Sequence, residues 1–107
     1  MAVYYIYMVV CSDASLYTGY TDNLPRRIAA HNSGKGAKYT RSRLPVRLVY
    51  WEKYATKQQV MQREAAIKQF SRQEKLQLLS EEGRKVVQEV AHKIERNAFA
   101  LQQSEMK

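Results

Sequence analysis

The chain has 107 residues, of which 45% are hydrophobic and 26% charged, and its formal net charge is +8. That length supports one small domain with one modest core, because a chain of this size buries about two thirds of the surface it exposes when unfolded. The single cysteine, Cys11, excludes an internal disulfide, and the two histidines, His31 and His92, give no spacing for a four-ligand zinc site. No run approaches the ~20 apolar residues of a membrane span, so a cytoplasmic protein is expected.

Residues 3–10 (VYYIYMVV) are β-branched and aromatic, residues 11–15 have turn composition, and residues 16–20 (LYTGY) read as a second strand, which makes a hairpin. Thr21 or Asp22 can cap a first helix with Pro25 in its opening turn, and Asn32-Ser33-Gly34 stops it. Residues 33–45 read as a loop, and residues 46–54 as a third, largely buried strand. Thr56 with Gln59 and Ser71 with Glu74 fit capping boxes for two more helices. From Glu81 onward Val87, Val90, Ile94, Ala98 and Leu101 recur at spacings of three and four, an amphipathic helix that packs on the domain or on a second copy. The expected division is therefore a domain over residues 1–83 and a C-terminal helix and tail over 84–107.

Charge is unevenly placed. Residues 1–25 carry two acids and no base, residues 26–72 carry 12 bases against Glu52 and Glu64, and residues 73–107 balance six against six. Between Arg26 and Arg47 there are seven bases and no acid, a footprint suited to a polyanion. Because these bases lie in a Gly- and Ser-rich stretch, a nucleic acid fits better than a membrane surface.

Several positions carry chemistry. On a helical wheel begun at Val60, Glu64 falls at about 40°, inside the apolar stripe of Val60, Met61 and Ile67. A carboxylate there must be paired with a base such as Lys68, raised in pKa, or bound to a cation. Arg27 and His31 stand four residues apart beside Leu24 and Ile28. The guanidinium offers a planar fork for a phosphate, and the imidazole is a hydrogen-bonding partner or proton carrier, unless both merely line the edge of the core. All eight tyrosines fall in the first 54 residues, with Tyr7 and Tyr17 on the two hairpin strands, where a phenol either packs in the sheet or orients a water. Gly34-Lys35-Gly36 lacks the order of a Walker loop, and Cys11 has nothing beside it in sequence to lower its pKa.

Tyr5-Ile6-Tyr7, then Tyr17-Thr18-Gly19 ten residues on, Arg27 after ten more, His31 after four, and Glu64 in a Glu-Ala-Ala-Ile-Lys run resemble the GIY-YIG nuclease superfamily over about residues 3–80. The stretch from His31 to Pro45 is similar to that of its small stand-alone bacterial members. Tyr5 stands where the family name has Gly, Thr18 where it has Ile, and His31 where many larger members have Tyr. The resemblance implies an α+β fold, a three-stranded antiparallel sheet flanked by helices, here with an extra C-terminal helix. It implies an endonuclease-type phosphodiester hydrolase using one Mg²⁺ or Mn²⁺ with Glu64 as its protein ligand. In that scheme Tyr17, with Tyr7 beside it, orients or deprotonates water, Arg27 holds the scissile phosphate, His31 assists there, and Gly19 lets the chain turn tightly into the first helix. Lys35, Lys38, Arg41 and Arg43 would give weak, salt-sensitive binding with little sequence selectivity, to DNA ahead of RNA. The competing expectation is a nucleic-acid-binding module that cleaves little without a partner, and a homodimer through Val87, Val90 and Ile94 is a third.

Overall fold

The computed structural model describes residues 2–105, with side chains described as far as Gln102. The last residues of the expected tail, 106 and 107, lie outside the described residues. Three strands, β1 (Tyr4–Val10), β2 (Leu16–Thr21) and β3 (Arg47–Tyr54), form an antiparallel sheet of order β2-β1-β3. Five helices accompany them: α1 (Leu24–Asn32), α2 (Lys38–Arg41), α3 (Lys57–Lys68), α4 (Arg72–Leu78) and α5 (Glu81–Glu105).

The unbroken apolar run of β1 has a topological reason: it is the central strand, and both its faces are covered. Ile6, Met8 and Val10 point into a core with Val49, Val60, Ile67, Leu79 and Val87. The alternate residues Tyr7, Val9 and Cys11 point into a second cluster with Val46, against which Tyr17, Leu24, Ile28 and Leu44 pack. Helix α1 therefore covers one face, and α3 with the first turns of α5 covers the other.

The structure corrects several local expectations. The cap of α1 is Asn23, whose side chain accepts from Arg26 N at 3.1 Å, while Thr21 Oγ1 instead accepts from Asn23 N at 3.1 Å. Residues 33–45 are not all loop, since α2 forms one short turn of helix within them. The third strand is an edge strand, half exposed along its length rather than largely buried, with a bulge opposite Met8 and Val9, and its Leu48 and Trp51 are open to solvent. At the end of α1, Asn32 grips the backbone of Val46 from both sides, donating to its carbonyl at 3.0 Å and accepting from its N–H at 2.7 Å. Val87 is buried in the protein's own core and Val90 packs beside it, so two of the three residues expected at a dimer face are occupied within one chain. Ile94, Phe99 and Leu101 remain exposed. Among the described residues no helix is long and apolar enough to cross a membrane.

One ion pair ties α3 to the sheet. Arg63 donates to both carboxylate oxygens of Glu52 at 2.8 and 2.9 Å, and the hydroxyls of Tyr50 and Tyr54 donate to the same group. Burial opposes the charge on Glu52, but the Arg63, Tyr50 and Tyr54 hydrogen bonds outweigh it and hold the carboxyl at about 2. A folded-state pKa below the unfolded one stabilises above the ordinary carboxylate value, and that stability is lost as pH falls through the folded one. Lowered from 4.5 to about 2, Glu52 contributes on the order of 3 kcal/mol. Urea unfolding of the wild type should weaken between about pH 5 and pH 2 by roughly that much more than unfolding of Glu52→Gln; parallel curves for the two would refute the clamp.

Candidate active site

Tyr7 is fully buried at the middle of β1, and its strand partner on β2 is Gly19. The pairing explains the glycine: a Cβ on residue 19 would lie 2.5 Å from Tyr7 Oη. Gly19 thus sits mid-strand, with the Tyr7 ring filling the space a side chain would take, and not in the turn into α1 as its expected role required. The Tyr7 hydroxyl then meets α1 from below. It lies 2.8 Å from His31 Nε2 and accepts from Arg27 Nε at 3.3 Å. The four-residue spacing of Arg27 and His31 on one helix is what brings both to one phenol.

The polarity of this network follows from counting protons. Thr40 Oγ1 donates its only hydrogen to Ala37 O at 3.0 Å, so toward His31 Nδ1, 2.8 Å away, it acts as acceptor. His31 therefore carries its proton on Nδ1, and the bare Nε2 accepts from Tyr7. Burial, with the nearby Arg27 charge adding to it, pushes the His31 pKa below 6.5 and keeps the ring neutral. Burial likewise raises the Tyr7 pKa, against the opposing pull of Arg27.

His31 is fully buried with both ring nitrogens engaged. It does not reach the surface to touch a phosphate; it braces Tyr7. Two residues that sequence reasoning passed over hold it there, Thr40 by the hydrogen bond and Gly36 by close approach, since a Cβ on residue 36 would collide with His31 Nδ1. The Gly34-Lys35-Gly36 run was the available signal: it wraps a side chain instead of a phosphate.

Tyr17 lies one step outward. Half-buried, it sets its ring edge-on to His31 at 5.5 Å, beside Tyr7 at 6.4 Å, and stacked with Tyr39 at 5.9 Å and 20°. The hydrogen bond to Tyr7 is the largest cause of the raised Arg27 pKa, against the opposing effect of burial. With Nε committed to Tyr7, Arg27 keeps its Nη donors for a ligand.

Glu64 approaches from α3, its side chain 22% exposed, and its charge is felt at Tyr7. Val60 and Ile67 are buried as the wheel places them, but Met61 is 47% exposed, so Glu64 borders the apolar stripe instead of lying within it. Its partner is Lys68 at 3.8 Å, a long and exposed i,i+4 pair of the kind that contributes little. Lys68 Nζ also lies 5.9 Å from the Tyr17 ring centre, which puts the carboxylate at the rim of the tyrosine cluster.

Of the four expected phosphate contacts, Lys35, Lys38 and Arg41 are exposed on the loop and α2. Arg43 is already engaged. It is paired with Asp13 at 3.0 Å, donates to Tyr39 O at 2.7 Å, and lies 3.9 Å over the Tyr39 ring. Its guanidinium holds Tyr39 against Tyr17.

A family model described as the GIY-YIG catalytic domain matches residues 3–77. The chain belongs to the GIY-YIG family. This is a nuclease family, and the small stand-alone relatives have names that state no activity. A UPF0213 protein of Staphylococcus haemolyticus is 58% identical over 81 residues, covering 76% of this chain and 99% of that one. A UPF0213 protein of Natronomonas pharaonis is 51% identical over 81 residues, covering 76% of this chain and 95% of that one. The solution NMR structure of a protein from E. faecalis matches at a TM-score of 0.50 and 42% identity, over 70% of this chain and 80% of that one. This GIY-YIG domain is thus a small one whose fold has been seen before.

The hydrogen-bond polarity gives a direct check. In nitrogen-15 NMR of the imidazole, more than half of His31 should be neutral at pH 6.5, with the proton on Nδ1. Thr40→Val should erase that tautomer preference and cost about 1–3 kcal/mol by leaving a buried N–H without an acceptor. A wild-type ring protonated on Nε2 would reverse the proposed direction of the whole network.

Proposed function

We propose that the protein is a divalent-metal-dependent phosphodiester hydrolase of the endonuclease type, acting on nucleic acid with little sequence selectivity, and on DNA ahead of RNA. What supports this is Arg27 held through Nε by Tyr7, with Tyr17 packed beside that phenol and Glu64 paired with the Lys68 that lies against the Tyr17 ring, next to an acid-free run of bases.

The donor set fits a hard cation sparsely. Among the described residues no three His, Cys, Asp or Glu side chains come together. A Mg²⁺ or Mn²⁺ ion would take Glu64 as its one protein carboxylate, with water and phosphate oxygens completing the octahedron, a familiar arrangement for Mg²⁺. Bound there, the cation would supply charge neutralisation and Lewis acidity to the phosphate. The long pair with Lys68 is weak enough to yield to it.

The chain's own residues do the rest. The Nη donors of Arg27 hold the phosphate and stabilise the charge that grows on its oxygens as water attacks phosphorus and the ester bond breaks. Of the two phenols, Tyr17 is the one partly open to solvent, so it is assigned to the attacking water, as hydrogen-bond acceptor and orienting group. Tyr7 is enclosed and fixes Arg27, and His31 fixes Tyr7. Lys35, Lys38 and Arg41 add phosphate contacts that attract and position without reading sequence.

Cleavage of labelled branched, duplex and single-stranded DNA and RNA, with Mg²⁺ or Mn²⁺, tests this. Wild type should cut, and Arg27→Ala and Glu64→Gln, each verified as folded, should lose on the order of a hundredfold or more in rate. Binding should persist in Glu64→Gln and weaken steeply with added salt. Equal binding by all three proteins with no cutting by any would instead establish a nucleic-acid-binding module.

A further inference from the structure

Behind the proposed centre, on the other side of α1, lies a groove that the hydrolytic scheme does not use. It encloses about 720 Å³ and is walled by Tyr5 and Trp51 from the sheet, Leu24, Pro25 and Ile28 from α1, and Leu48 where β3 bulges. Trp51 is 53% exposed, unusual for the largest apolar side chain of a small protein. It is nevertheless held in place, because the Tyr5 ring meets it edge-on at 5.9 Å and 71°. An ordered aromatic plane with one face open is a platform for another planar ring.

Its setting narrows what that ring belongs to. Trp51 is the strand partner of Tyr7, so platform and phenol lie in one row across the sheet. Helix α1 contributes Leu24 and Ile28 to the groove and, from the adjoining part of the same face, Arg27 and His31 to the network, so the two sites flank one helix. Lys53, the strand partner of Tyr5, is exposed two residues along β3 from Trp51 and therefore on the same face of the sheet. Asp22 is the only acid in the groove wall. An apolar slot with an aromatic floor, a lysine on the same sheet face and the proposed phosphate clamp on the same helix suits a polyanion that carries flat apolar rings.

We propose that this groove holds an unpaired nucleobase of the strand bound at the candidate active site, stacked on Trp51, so that the preferred substrate has a single-stranded segment next to the scissile phosphate. This rests on the hydrolase assignment above for the position of that phosphate. Bases paired in a duplex present only their edges, and reaching the groove would require unstacking them. The groove therefore discriminates by strand structure, not by sequence, since every base has a face to stack.

Trp51 is the chain's single tryptophan, so its fluorescence reports on this groove alone. In metal-free buffer, which prevents cutting, the protein is titrated with unlabelled oligothymidylate, a blunt duplex of the same length, and an abasic strand of the same length, with binding followed in parallel by anisotropy of labelled versions. Oligothymidylate should quench Trp51 saturably, and the abasic strand and duplex should bind with little quenching. Trp51→Ala should weaken single-strand binding on the order of tenfold or more and leave duplex binding unchanged, and Trp51→Phe should recover most of the loss.

Equal quenching by all three nucleic acids, or single-strand binding indifferent to Trp51→Ala, would overturn the stacking proposal while leaving the hydrolase assignment intact. Fluorescence that changes with protein concentration alone, together with a dimeric mass, would overturn it by showing that a second copy fills the groove. Failure of every nucleic acid to bind would remove the hydrolase assignment as well.

Discussion

The structure depends on placing one phenol, that of Tyr7, at the centre of the sheet with no water around it. A buried hydroxyl without partners costs on the order of 1–3 kcal/mol, and here it has two, one that accepts and one that donates. Each partner needs its own support. His31 is fixed by Thr40 and by the bare backbone of Gly36, and the space above the phenol exists because residue 19 is glycine. The role proposed for Arg27 rests on this packing: anchored through Nε, the guanidinium has its outer donors oriented in advance.

The arrangement divides the face of the sheet under α1 into two regions of different character. On the β2 side, tyrosines and Arg27 make a polar edge, which Glu64 borders from α3. On the β3 side, Tyr5, Leu48 and Trp51 make an apolar one. The bulge in β3 lies in this apolar part, where the register shifts between Met8 and Val9 and Leu48 is exposed. The opposite face is structural throughout, closed by α3, α5 and the Glu52–Arg63 clamp.

Much of this was legible in the sequence. The apolar run of residues 3–10 announced a strand, the Ser71–Glu74 box formed in full, and the spacing of Tyr7, Tyr17, Arg27, His31 and Glu64 identified a family and hence an α+β fold with a three-stranded antiparallel sheet. What stayed hidden depends on long-range contact. Nothing local distinguishes a glycine that turns the chain from one that makes room for a ring on the next strand, so Gly19 was misplaced and Gly36 overlooked. Arg43 counted as a free base because its partner, Asp13, is thirty residues away. His31 read as a group at the edge of the core or at the phosphate, and not as a buried brace, because helical periodicity gives a side chain's direction and not the depth of the element that covers it.

The most direct test of the account compares Tyr17→Phe with Tyr7→Phe under single-turnover conditions with saturating protein, after confirming that both fold and bind. Losing the hydroxyl that meets the water should slow Tyr17→Phe by about a hundredfold or more at unchanged substrate affinity, whereas Tyr7→Phe should lose less rate and more thermal stability. Cutting by Tyr17→Phe at the wild-type rate would contradict the account at its centre.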